Sequence, residues 1–278
     1  MTICIGMLAS DGIVIAADAQ ESDNYFKRSQ QKILTWGVVG LSNSGPARGA
    51  SHVSCVLTGA GDAGFIDAFS QNLLHALKPD LTMHSFEEIL ADRLEEFYGK
   101  HVIPVLASDP NADFRMLIGA YFGFSSRLYV TYRSTLRVVM PYAAIGVGGS
   151  FASRLMDESP LISSVRETEV MAANVIAVTK DCIEGCGKYT DVVSIHNCSI
   201  VEGTQPGEGS HLEHSAIVTT RVSPMKIARW EKSFGSQWAN RQRKLTQELI
   251  CEEIKNDEQI ETVESLKRLD AHTLEGQQ

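Results

Sequence analysis

Residues 2–18 read Thr2-Ile3-Cys4-Ile5-Gly6-Met7-Leu8-Ala9-Ser10-Asp11-Gly12-Ile13-Val14-Ile15-Ala16-Ala17-Asp18. Ile3 to Leu8 is a short apolar run. Ser10-Asp11-Gly12 is a turn signal, and Ile13 to Ala17 is a second run of β-forming character. The stretch therefore predicts a hairpin whose second strand ends in a carboxylate, Asp18. Such an ending is usually a solvated strand terminus, so its meaning depends on what surrounds it.

Working outward, residues Asp23 to Gln31 are polar and predict a loop. Lys32 then opens the run Ile33-Leu34-Thr35-Trp36-Gly37-Val38-Val39. Leu41 to Ser51 is rich in Gly, Ser and Pro and reads as a loop or insertion. Val53 to Leu57 predicts a buried strand, followed by Thr58-Gly59-Ala60-Gly61-Asp62. Phe65, Ala68, Phe69, Leu73 and Leu77 recur at helical spacing after Asp62. A second helix carries Ile89, Leu90, Leu94 and Phe97, with Ser85 and Glu88 in a capping-box pattern. Pro104 and Asp109-Pro110 close this helical region.

Strands are expected over Phe114–Phe122, Leu128–Tyr132, Leu136–Met140 and Tyr142–Ile145. The glycine turn Gly146-Val147-Gly148-Gly149-Ser150 leads into a short helix, Phe151–Met156. Ser164 and Glu167 suggest a capping box for a helix through about Ile183. Asp191–His196 and Ser215–Thr220 are the last strands. Strands and helices in segregated runs suit packed layers better than an alternating parallel fold. The expected division is a domain over 1–223 and a charge-dense helical extension over 224–278.

The 278 residues are 44% hydrophobic, enough for one large core. The net charge of −9 argues against a nucleic-acid partner, which needs a basic face. No apolar run approaches the ~20 residues needed to cross a bilayer, and no secretory signal is expected in front of Asp11 and Asp18. A cytoplasmic protein is the expectation. The six cysteines are scattered and predict free thiols rather than a disulfide framework. Cys182 and Cys186 lack a second pair at zinc spacing, so no metal and no cofactor are expected.

Thr2 is the residue with chemical potential. Its small side chain is compatible with removal of Met1, which would put a hydroxyl and a free α-amine on one residue. An α-amine with a pKa of ~7.7–8.0 is partly neutral near pH 7 and can take the hydroxyl proton, directly or through a water. A neighbouring ammonium favours both the neutral amine and a more acidic hydroxyl. Lys32 is the candidate, with Asp18 as its carboxylate partner. Taken separately, that pair is a surface ion pair worth ~0–1 kcal/mol.

The order Thr2, Ile13-Val14-Ile15-Ala16-Ala17-Asp18, Lys32-Ile33 resembles the opening of proteasome β-type subunits. In that family a threonine begins the mature chain, an Asp closes the second strand and a Lys follows a loop. The Thr-to-Asp interval matches; the Asp-to-Lys loop is about two residues shorter than usual. Thr58-Gly59-Ala60-Gly61-Asp62-Ala63 resembles the turn before the family's first long helix, whose glycine N–H supplies the oxyanion hole, so Gly59 takes that role. Ala144-Ile145-Gly146-Val147-Gly148-Gly149 resembles the glycine turn opening the third helix. The paired glycines, with Gln20 after Asp18, lean toward the bacterial peptidase that partners a ring-shaped ATPase. The resemblance covers residues 2–200.

The resemblance implies an α+β fold, a four-layer αββα sandwich of the amino-terminal-nucleophile hydrolase type. It implies a threonine peptidase acting on peptide or unfolded-protein substrates within a homo-oligomeric ring, with an ATPase unfoldase as a candidate partner. Two departures stand out. Val147 occupies the position of a family serine that hydrogen-bonds the terminal amine. The later Asp and Ser that orient that amine fall within Asp181 to Gly187, where Asp181 and Glu184 both qualify as the Asp and Cys186 takes the place of the Ser. An inactive scaffold subunit and a small-molecule amidase are the alternative readings. A cysteine nucleophile at Cys4 would require loss of Met1-Thr2-Ile3, which nothing in the sequence motivates.

Overall fold

The first apolar runs become two strands buried on both faces, which is why they carry no polar alternation. β1 (Ile3–Ala9) and β2 (Gly12–Asp18) pair antiparallel around the Ser10-Asp11 turn, with Cys4 opposite Ala17 and Ala9 opposite Gly12. The structure is a computed structural model that describes residues 2–22, 27–37, 53–78, 81–110, 112–122, 125–157, 164–201 and 213–233. The expected loop or insertion at Leu41–Ser51 lies outside these residues. One compact unit spans Met1–Glu231; of the second unit, Lys232–Gln278, only Lys232 and Ser233 are among the described residues.

Further strands are β3 (Gln20–Ser22), β4 (Lys27–Ser29), β5 (Leu34–Trp36), β6 (Val53–Gly61), β7 (Phe114–Phe122), β8 (Ser125–Tyr132), β9 (Thr135–Val139), β10 (Tyr142–Gly146), β11 (Thr190–Val201) and β12 (Glu213–Arg221). The helices are α1 (Ala63–Ala76), α2 (Met83–Phe97), α3 (Ile103–Leu106), α4 (Gly149–Asp157), α5 (Val165–Cys182) and α6, over 224–233. One sheet runs β10-β1-β2-β11-β12 and a second runs β5-β6-β7-β8-β9, with all neighbours antiparallel.

Alternation along the strands sorts side chains into three apolar clusters. Ile3, Ile5, Val14 and Ala16 pack with Ala172 and Ile176 of α5. Leu57, Phe114 and Ile118 of the second sheet pack with Phe69 and Leu73 of α1 and Phe86 and Leu90 of α2. Cys4, Ile13 and Ile15 of the first sheet pack with Val56, Leu117 and Leu128 of the second. Each fully buried Ile or Leu stabilises the fold by roughly 1.5–3 kcal/mol. The described residues thus form a mixed α+β fold of helices and two five-stranded antiparallel sheets.

Several local expectations shift. The polar segment expected as a loop, Asp23–Gln31, contains the short strand β4, which pairs with β3 just before it. Thr58 to Gly61 belong to β6 rather than to a turn, and Asp62 alone caps α1 by accepting the Phe65 N–H at 3.0 Å. The cap of α2 is Thr82, reciprocated by Ser85, one turn earlier than the Ser85–Glu88 pattern. The Ser164–Glu167 box is present at α5. Pro104 does not end its helix. A π-turn over Tyr98–Val102 lets the chain start α3 with proline in its first turn, where a missing N–H breaks no bond. In α6, Ile227 is buried against the first cluster, and Glu231 pairs with Lys180 of α5 at 2.7 Å.

Candidate active site

The hairpin brings its two ends together. Thr2 immediately precedes β1 and Asp18 closes β2, and both are buried. Thr2 is fixed from its other side by β10. Its carbonyl accepts the Val147 N–H at 2.9 Å, and Ile3 lies opposite Gly146 in the ladder. Gly146 has φ +94°, and a Cβ there would sit 2.2 Å from the Thr2 carbonyl oxygen, so this turn requires glycine.

Asp18 is wholly excluded from solvent and is the hub of the site. Its Oδ1 accepts the Thr2 hydroxyl at 2.6 Å, the Ile3 N–H at 3.0 Å and the Lys32 ammonium at 2.9 Å. Its Oδ2 accepts the Gly187 N–H at 2.9 Å. A buried carboxylate is tolerated when paired and hydrogen-bonded in this way. Lys32 donates to three acceptors: Asp18, the Thr2 Oγ1 and the Gln20 carbonyl. Its side chain is 13% exposed, so its charge acts on the Thr2 hydroxyl with little screening by water.

The Thr2, Asp18 and Lys32 singled out from the sequence therefore meet around one hydroxyl. Gly59 lies nearby on β6, across the interface between the sheets. The Cys4 thiol donates to the Gly59 carbonyl at 3.4 Å and contacts the Thr58 hydroxyl at 3.3 Å. The direction of the Gly59 N–H follows from the ladder. Gly59 faces Met116 on β7, and the Met116 N–H bonds the Thr131 hydroxyl of β8 at 2.8 Å. Met116 thus turns its polar groups away from β6, so Gly59 is in a non-hydrogen-bonded pair and turns its own toward the β5 side. The β5–β6 ladder ends at Leu34–Leu57, two residues short of Gly59, and its register continued would set Lys32 opposite Gly59. The Gly59 amide faces the side on which Lys32 lies. A Cβ at Gly59 would meet Ile66 at 2.8 Å.

Asp181 is not part of this arrangement. It is exposed in the last turn of α5, as is Glu184 just beyond. The segment reaches the site through Gly187 and Cys186 instead. Burial pushes the Cys186 thiol up to about 11, Asp18 adds to the rise, and Lys32 and the Gly148 N–H oppose it. Burial likewise raises the Cys4 thiol to about 11. Both are neutral near pH 7, so neither is an activated nucleophile. The Gly187 donor and the Gln20 carbonyl were not foreseen: backbone groups carry no side-chain signature, although both residues stood beside features the sequence had marked. Val147 is 50% exposed and contributes its N–H to Thr2.

Chemically, the arrangement can hold a hydroxyl between a carboxylate and an ammonium, with a backbone amide on the facing strand. Among the described residues no group of His, Cys, Asp and Glu could hold a metal ion. Among them, too, no helix is long and apolar enough to cross a membrane.

No family model matches the chain. No curated protein matches it. Solved structures do. Anbu (ancestral beta-subunit) from Yersinia bercovieri has a TM-score of 0.62 at 14% identity, covering 86% of this chain and 96% of that one. The helical assembly of the Anbu complex from Pseudomonas aeruginosa gives 0.63 at 14%, covering 87% and 96%. Anbu from Hyphomicrobium sp. strain MC1 gives 0.59 at 14%, covering 87% and 97%. At such identities the likeness speaks to architecture alone: over nearly the whole length of those chains this protein shares their fold.

Proposed function

We propose that the protein is an amino-terminal threonine hydrolase, a peptidase on a four-layer αββα sandwich, with Thr2 freed by removal of Met1. The observation that carries this reading is the Thr2 hydroxyl held jointly by Asp18 and Lys32. The α-amine of Thr2 takes the hydroxyl proton as Oγ1 bonds to the carbonyl carbon of the substrate. The carbonyl oxygen becomes an oxyanion, held by the Gly59 N–H. Collapse breaks the C–N bond, and the proton passes to the departing amine. Water then hydrolyses the Thr2 ester, returning the hydroxyl and releasing the acid. Lys32 favours the neutral amine and the more acidic hydroxyl, and Asp18 holds Lys32. Asp181 has no role in this scheme.

The same proposal includes self-assembly. Head-to-tail contacts close into a ring or continue as an open helix according to the rotation between copies. The Pseudomonas aeruginosa neighbour is described as a helical assembly. An ATPase unfoldase that feeds substrate chains to the site belongs to the proposal as well. So does a cytoplasmic location, supported by the free thiols Cys4, Cys55, Cys182 and Cys186.

A scaffold subunit is the second reading, favoured by Val147, which offers no hydroxyl to the amine. Intact mass before and after a peptide epoxyketone separates the two, because that probe needs both the hydroxyl and the free amine of one residue. Loss of Met1 and one adduct, absent in Thr2→Ala, supports the hydrolase. Retained Met1 with no adduct rejects it in favour of the scaffold.

A further inference from the structure

Lys32 stands on residues 30–33, which belong to no strand: β4 ends at Ser29 and β5 begins at Leu34. The position of its ammonium depends on what tethers this short segment. On one side the Gln30 N–H donates to the Ala19 carbonyl at 2.9 Å. On the other, the Ile33 carbonyl accepts two donors. One is the Gln31 side-chain amide at 3.1 Å, a bond within the segment that cannot anchor it to the rest of the molecule. The other is the Arg221 Nη2 at 2.9 Å, from the end of β12.

The second arm of that guanidinium is held in turn. Arg221 Nη1 is paired with Asp191 Oδ2, and the Asp191 side chain is 7% exposed. Asp191 lies on β11 opposite Ala17, the residue before Asp18, so the carboxylate is fixed to the strand that carries the hub of the site. Arg221 is the planar fork that spans these two acceptors; a lysine can satisfy either one but lacks the fork. The clamp links the first sheet to the Lys32 segment over a sequence separation of 188 residues.

We infer that Arg221, braced by Asp191, is a positioning residue for Lys32, holding the Ile33 carbonyl so that the ammonium reaches the Thr2 hydroxyl and Asp18. The inference rests on the reading of Thr2 as nucleophile and Lys32 as its activator. It predicts a defect in the chemical step rather than in substrate binding, because Arg221 acts on the reach of Lys32 and not on a substrate.

The test uses the full-length protein with Arg221→Lys and Arg221→Met. Arg221→Lys keeps a charge for Asp191 and so guards against simple misfolding. A saturating series of peptide epoxyketone separates the maximal inactivation rate from the half-saturating concentration. In both variants the maximal rate is expected to fall about tenfold or more, against the ~100-fold that a 1 Å misplacement can cost, with half-saturation within about twofold. Acetylation of Lys32 by a limiting dose of acetic anhydride, read by peptide mass, is expected to rise severalfold as the ammonium is released. If wild type is inert to the epoxyketone, the proposed hydrolase fails, and Lys32 acetylation still decides the clamp. Folded variants in which Lys32 acetylation matches wild type, or whose maximal inactivation rate stays within about twofold, overturn the inference.

Discussion

Lys32→Met removes the cation while keeping most of the aliphatic volume. Asp18 then stays fully buried with its Thr2, Ile3 and Gly187 donors but no counter-charge. Removing one partner of a buried pair costs about 3–5 kcal/mol. The 13% exposure of Lys32 lets some water reach the gap, which argues for the lower end, about 3 kcal/mol. For a domain of this size that corresponds to a Tm lower by roughly 6–12 °C. Hydrolysis should fall by about 10²–10³, as when a preorganised electrostatic group is lost. Adding Asp18→Asn removes the orphaned charge and should recover part of the stability. The recovery is incomplete because the amide NH2 would face the Gly187 N–H, donor to donor. Activity should not return with it. Thermal denaturation and peptide hydrolysis on the single and double variants test both halves. A Lys32→Met protein with wild-type Tm and near-wild-type turnover would falsify the account of this pair as both structural and chemical.

Gly146→Ala introduces a Cβ 2.2 Å from the Thr2 carbonyl at a φ of +94°; the strain alone costs roughly 1–3 kcal/mol. Epoxyketone labelling of Thr2 should drop, and full labelling at unchanged Tm would show that this turn does not set the position of Thr2. Val147→Ser should raise turnover up to about tenfold or leave it unchanged, through one hydrogen bond of ~0.5–1.5 kcal/mol. A folded variant that loses turnover contradicts this. Cys182 is exposed whereas Cys186 is buried; iodoacetamide at pH 7.5 should therefore modify Cys182 well before Cys186, as peptide mass would show. Cys186 is raised from an ordinary 9.0 to about 11, so the folded state holds the proton more tightly. Its contribution to stability is complete below pH 9 and is lost as pH rises through 11. Cys186→Ala should flatten that part of the pH–stability curve.

The legible parts of the fold are those with local causes. Both strands of the first hairpin announced themselves because burial on two faces demands unbroken apolar runs. Thr2 and Asp18 meet because that hairpin returns the chain to its start, and a lysine after the next loop was a reasonable third member. What escaped the sequence was long-range and carried by backbone. Gly187 reaches Asp18 across 169 positions, and Arg221 reaches Ile33 across 188. No spacing or composition signals such bonds. Asp181 and Glu184, which both qualified as the later Asp, stand outside the arrangement for a related reason: both are exposed at the end of α5, and the segment touches the site only after the chain leaves the helix, through Gly187. The cap of α2 lies one turn before the Ser85–Glu88 pattern because Ser85 can serve as the cap or as its N3 partner, and Thr82 takes the cap.

The distribution of the site over the molecule bears on how Val147 should be weighed. The groups that hold the Thr2 hydroxyl come from β2 and the segment before β5, and they are supported by Gly187 and by the Arg221–Asp191 pair. None of these is the side chain at position 147. Val147 touches Thr2 through its backbone N–H, a bond that any residue except proline supplies. On the proposed hydrolase reading, valine in place of a serine therefore removes one hydroxyl while leaving the groups around the Thr2 hydroxyl whole. Under that reading the pattern predicts a slower enzyme before it predicts none. It also means that an inert protein would have to be explained by the terminal amine itself, through retention of Met1, rather than by the arrangement around the Thr2 hydroxyl.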